Sequence, residues 1–143
     1  MNLLKIALLK LTLLTITINA QTTIKGREQF NTLERSKNYQ GKPLEYFLRD
    51  LKLEIKSISY LKKNEEGPNQ IILRFDNREK YNELRGQGMM PARITIWFYD
   101  NHETQYAFKG LQAYGLLKTS SLKQFKRLLI EKIFSNSDQD ISK

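Results

Sequence analysis

Hydrophobic and polar positions alternate most sharply between Ala92 and Lys109. Ile94, Ile96 and Phe98 interleave with Arg93, Thr95, Trp97 and Tyr99, the period of two expected of a strand built from β-branched and aromatic residues. Asp100, Asn101, His102 and Glu103 form a polar break of turn-forming residues, and alternation resumes from Thr104 to Phe108. The pattern predicts a hairpin bent at residues 100–103, with Trp97 opposite Tyr106 and Thr95 opposite Phe108. Opposed residues share a face, so Ile94, Ile96, Phe98 and Ala107 line one side and Trp97, Tyr99, Tyr106 and Phe108 the other. The aliphatic side is the expected core. The aromatic side, flanked by Arg93, is either a second buried layer or a binding surface.

Apolar spacing of three and four residues marks the helices. Leu44, Phe47, Leu48 and Leu51 give one stripe behind Pro43, which suits a first helical turn because its missing N–H has no partner there anyway. Leu122, Phe125, Leu129 and Ile133 give a second stripe, widened by Leu128, Ile130 and Phe134, and predict a helix over 122–134. Asp76 with Glu79 resembles a capping box for a short helix that ends at Arg85 and Gly86. Residues 53–61 and 70–76 alternate as strands, the first changing phase near Ser57. They are separated by a charged loop broken at Gly67 and Pro68. Residues 110–118 carry two glycines, and Leu116 and Leu117 fit a short strand or a docking segment. The order predicts an α+β fold: one small domain, with an antiparallel sheet of about four strands and two main helices on one face.

Composition adds compartment and boundaries. Residues 1–20 hold Lys5 and Lys10, no acid, an apolar run and a closing Ala20, the pattern of a secretory signal peptide cut between Ala20 and Gln21. The run is too short and interrupted for a membrane span. Residues 21–41 are expected to be extended or briefly helical around Phe30 and Leu33. The domain itself covers 42–134, and a disordered polar tail covers 135–143. The expected location is secreted or periplasmic. With no cysteine, the chain has no disulfide, thiolate nucleophile or lipidated cysteine. The full chain carries +9, and without Lys5 and Lys10 it keeps 22 basic against 15 acidic residues. A diffuse excess of this kind favours weak attraction to anions.

Candidate chemistry is sparse. His102 is the single histidine, which excludes a histidine-rich zinc site and leaves an exposed turn residue as the ordinary reading. Glu65 and Glu66 lie in a loop. Asp76, Glu79 and Glu83 interleave with Arg78, Lys80 and Arg85, as on a solvated helix face, so a carboxylate-based glycan-active enzyme is the least favoured alternative. Lys123, Lys126 and Arg127 form an i, i+3, i+4 group on the expected last helix, suited to an anionic surface or polymer. No catalytic residue, metal ligand or cofactor motif is identified. The sequence therefore predicts an exported, non-enzymatic binding or structural domain. Its candidate ligand residues are Trp97, Tyr99, Tyr106, Phe108 and Arg93, and its candidate partner is a cell-envelope polymer or another protein. Nucleic acid is not expected outside the cytoplasm.

Overall fold

The computed structural model describes residues 39–136 and 139–140, apart from Lys52 and Glu66. The expected signal peptide, the segment around Phe30 and Leu33, and most of the expected polar tail lie outside the described residues. The elements run α1 (Leu44–Asp50), β1 (Ser57–Leu61), β2 (Gln70–Arg74), α2 (Arg78–Gly86), β3 (Met89–Met90), β4 (Arg93–Phe98), α3 (His102–Ala107), β5 (Tyr114–Leu117), a 3₁₀ turn (Thr119–Gln124), β6 (Ile130–Asn136) and β7 (Gln139–Asp140). Five strands form one antiparallel sheet in the order β5-β1-β2-β4-β6, and β3 pairs with β7. The protein is an α+β fold, with five strands where about four were expected.

The sheet has one dry face. Ile58, Tyr60, Ile71, Leu73, Ile94, Ile96, Phe98 and Ile130 point to it and are buried. Packed against them are Leu44 and Phe47 of α1, Phe108 beyond α3, and Phe125 and Leu128 from the chain that leads into β6. The helix expected at 43–51 is present as Leu44–Asp50, and it starts without a side-chain cap. Its first N–H groups instead find backbone carbonyls: Leu44 donates to Leu128 at 3.0 Å and Glu45 to Lys126 at 2.9 Å. Gly41, at φ 77°, donates to the Ile130 carbonyl at 2.7 Å and sets the chain into that position.

Two expected elements are corrected. The second hairpin strand does not form, because Asn101 caps a helix rather than turning a hairpin. Its side chain accepts a hydrogen bond from the Thr104 N–H at 2.9 Å, and residues 102–107 wind into α3. Thr104 and Phe108, four residues apart, are then the buried positions, and Tyr106 faces water. The long terminal helix does not form either. Leu122, Phe125 and Leu128 recur every three residues, and bonds from Phe125 N–H to Leu122 O and from Leu128 N–H to Phe125 O run at 3.0 Å. That is the 3₁₀ spacing, not 3.6. The chain then extends as β6, pairing Ile133 with Ile96 and Phe134 with Thr95, and continues through Ser135 and Asn136 of the segment expected to be a disordered tail.

Candidate functional site

Alternation places the remaining strand residues on the second face. Register aligns them in rows: Tyr114, Leu61, Gln70, Trp97 and Lys132; then Leu116, Ser59, Ile72, Thr95 and Phe134; then Ser57, Arg74 and Arg93. Tyr114 and Leu116 are 73% and 78% exposed, Leu61 and Lys132 are exposed, and Ile72, Trp97 and Phe134 are half-buried. The helices on the core side leave this face accessible, except at the Arg74 and Arg93 end. There Tyr81 and Arg85 of α2 close a cavity of about 40 Å³.

The middle of the face is tightly tied. The Trp97 indole N–H donates to Gln70 Oε1 at 3.0 Å, and its ring meets Phe134 edge-on with centroids 4.8 Å apart. Lys132 Nζ lies over both rings, 4.4 Å from the Phe134 centroid and 5.9 Å from that of Trp97, in cation–π range. Arg74 donates to Ser59 Oγ at 2.6 Å. Burial lowers the Arg74 pKa, with the Arg93 charge beside it acting the same way. None of the outward strand positions named is Asp or Glu. Glu131 stands apart as the extra residue of a bulge, where β6 loses register with β4 between Trp97 and Phe98.

The predicted site residues part company. Trp97 is on the open face, Arg93 stands at its covered end, and Tyr99 lies just past the end of β4, where its hydroxyl accepts from Gln40 Nε2 at 3.4 Å. Phe108 is not on that face: it is fully buried, with ring centroids 5.1 Å from Phe125, 6.3 Å from Phe98 and 6.4 Å from Tyr60. Tyr106, 72% exposed, stands on α3 and shares an open groove of about 820 Å³ with His102, Glu103, Gln124 and Arg127. The basic trio is likewise divided. Lys123 lies in the 3₁₀ turn, Arg127 lines that groove, and Lys126 lines another of about 470 Å³ with Glu45, Tyr46 and Arg49.

No protein family, curated protein or solved structure matches the chain.

The carboxylates do not converge. Glu83 accepts from Lys80 Nζ at 3.0 Å and from Gln87 at 3.3 Å, as on an ordinary helix face. Asp100 is held below the usual carboxylate range by hydrogen bonds from Lys63 and Gln105. No group of three His, Asp or Glu side chains near enough to hold a metal is found among the described residues, and none of their helices is long and apolar enough to cross a membrane. Periodicity alone does not show that Phe134 and Lys132 neighbour Trp97, or that Ile72, Leu116 and Tyr114 share its face. For Lys132 and Phe134 the signal was masked, because the bulge at Glu131 breaks the alternation of β6 and leaves Ile130, Ile133 and Phe134 at helix-like spacing.

Proposed function

We propose that this chain is an exported, non-catalytic binding domain that takes an acidic protein partner on the open face of its sheet. The observation that carries the reading is the make-up of that face. Trp97, Phe134, Ile72, Leu61, Leu116 and Tyr114 supply apolar contact, and Lys132 supplies positive charge, with Arg74 and Arg93 adding to the field from the covered end of the face and no carboxylate among the outward strand positions. Apolar anchors of this kind dominate protein interfaces, and a single sign of charge selects partners of the other sign. A sugar-stacking role is less suited to Trp97, because its N–H is used by Gln70 and its ring is shared with Phe134 and Lys132. Export rests on the basic, apolar and small-residue pattern of residues 1–20.

Titration with a capped peptide that alternates glutamate and valine tests this. Trp97 is the single tryptophan, so its fluorescence reports the face directly. The peptide is expected to change that emission, and Lys132→Glu is expected to weaken binding about tenfold or more, as reversal of a charge in a complementary interface does. Emission that ignores the peptide, or a Lys132→Glu protein that binds equally well, contradicts the reading. So does heparin binding that outcompetes the peptide and is lost on Arg127→Glu.

A further inference from the structure

We infer that the outer edge of β5 is a strand-pairing site, built to receive an extended acidic segment of another protein as a sixth strand. This goes beyond the open face and rests on different observations. The first is the backbone. Lys62 N–H donates to the Ala113 carbonyl at 2.8 Å, and the antiparallel register pairs Tyr60 with Gly115 and Ile58 with Leu117. Bonded pairs alternate in such a ladder, so the N–H and C=O groups of Tyr114 and Leu116 point away from β1. β5 ends the sheet, and among the described residues no other strand pairs with its outer side.

The second observation is the lack of any guard. Sheet edges are ordinarily blunted by a charge, a proline or a bulge. The opposite edge follows the rule, since β6 carries Glu131, Lys132 and a bulge, and its approach is paired with Pro43 at Leu129. β5 reads Tyr-Gly-Leu-Leu and has none of these. It presents two large apolar side chains, Tyr114 and Leu116, beside Leu61. It is also closely packed: a Cβ on Gly115 would lie 2.8 Å from the Tyr60 hydroxyl, so the strand sits directly against that ring. An unguarded, apolar edge is a template for strand addition.

The third observation gives the partner's chemistry. Between Glu103 and Glu131 the chain has no acidic residue, and it carries Lys109, Lys118, Lys123, Lys126 and Arg127. Lys118 follows β5 directly, and Lys62 pairs beside its start. An incoming strand with apolar side chains in one phase and carboxylates in the other meets apolar side chains along β5 and lysines at its ends. A second copy of this chain would bring the same acid-free segment against itself, like charge against like.

The probe is the capped glutamate–valine peptide, read by hydrogen–deuterium exchange at single amides. Exchange at Tyr114 and Leu116 is expected to slow about tenfold or more, in line with new backbone hydrogen bonds. A version N-methylated on the amides that face β5 is expected to lose this protection, and so is the protein carrying Leu116→Pro. Proline there removes an outward N–H without breaking a bond to β1. Leu116→Glu, which guards the edge with a charge like that of the peptide and keeps the backbone, is expected to act alike and serves if the proline variant does not fold. Unchanged exchange at both amides, or equal binding of the N-methylated peptide, overturns the proposal. Concentration-dependent protection of the same amides without peptide also overturns it and assigns the edge to a second copy. Trp97 lies about four strand spacings, roughly 19 Å, from the added strand. A fluorescence response without amide protection therefore sinks the edge proposal alone, and protection without a fluorescence response sinks the open-face reading alone.

Discussion

At the scale of single residues, one buried side-chain polar atom among the described residues is left without a partner. Thr104 is fully buried, and its Oγ1 has no hydrogen-bond partner among the described residues. A buried hydroxyl without a partner costs about 1–3 kcal/mol, so Thr104→Val, which keeps the shape and drops the donor, is expected to raise the unfolding free energy by about 1 kcal/mol in denaturant titration. A lower midpoint would mean that Oγ1 is satisfied after all. Tyr39 makes the opposite case. Its ring packs edge-on against Phe47 at 5.4 Å, and its hydroxyl donates to Asp50 at 2.8 Å. Burial, with the Asp50 hydrogen bond and charge behind it, pushes its pKa up from 10.0 to about 12. The folded state thus resists ionisation more than the unfolded chain does. The stability this brings is complete below pH 10 and is lost as pH rises through about 12. Tyr39→Phe is expected to flatten the fall in melting temperature over that range, while costing about 1 kcal/mol near neutrality for the lost hydrogen bond. An unchanged alkaline slope would place the titration elsewhere.

At the scale of elements, periodicity was a good guide wherever it had one reading. The stripe of Leu44, Phe47 and Leu51 marked α1, and the alternation of Ile94, Ile96 and Phe98 marked β4 and its core face. Short segments with two compatible periods were misread. In Thr104–Phe108 the pair Tyr106 and Phe108 fits a strand, whereas Thr104 and Phe108 fit a helix, and the Asn101 cap decides between them. Capping chemistry was legible there, since Asn before a polar first turn is a strong helix start, but the same residues serve turns. In 122–134 a 3₁₀ turn followed by a bulged strand imitates an amphipathic helix, because spacings of three and two add up to a wide apolar stripe. If Asn101 decides α3, then Asn101→Ala should cost about 1 kcal/mol in a thermal melt and detach Phe108 from its aromatic neighbours. Near-ultraviolet circular dichroism reads the latter, and an unaltered spectrum with an unaltered melt would remove Asn101 from that role.

At the scale of the whole molecule, the sheet separates two tasks. One face joins α1, α3 and the 3₁₀ turn into a single hydrophobic core, and the other keeps rings, leucines and cations at the surface. The sequence reading had this division in β4, with Ile96 inward and Trp97 outward. It assigned the wrong neighbours to Trp97, because the pairing partners of β4 are β2 and β6, which lie far from it in sequence. Non-local pairing leaves no mark in local periodicity, so Phe134 and Lys132 were placed on a helix. The proposed export from the cytoplasm belongs to the same scale. The protein recovered from the envelope or medium is expected to begin at Gln21, as mass spectrometry of its N-terminus would read.

The measurement closest to the central claim maps the glutamate–valine peptide onto the folded protein by amide and indole chemical shifts. Shifts are expected at Trp97, Lys132, Phe134 and Ile72, along the open face, with Phe108 and Phe125 in the core left still. Shifts gathered instead around His102, Tyr106 and Arg127 would move the working surface to the groove beside α3 and contradict the account.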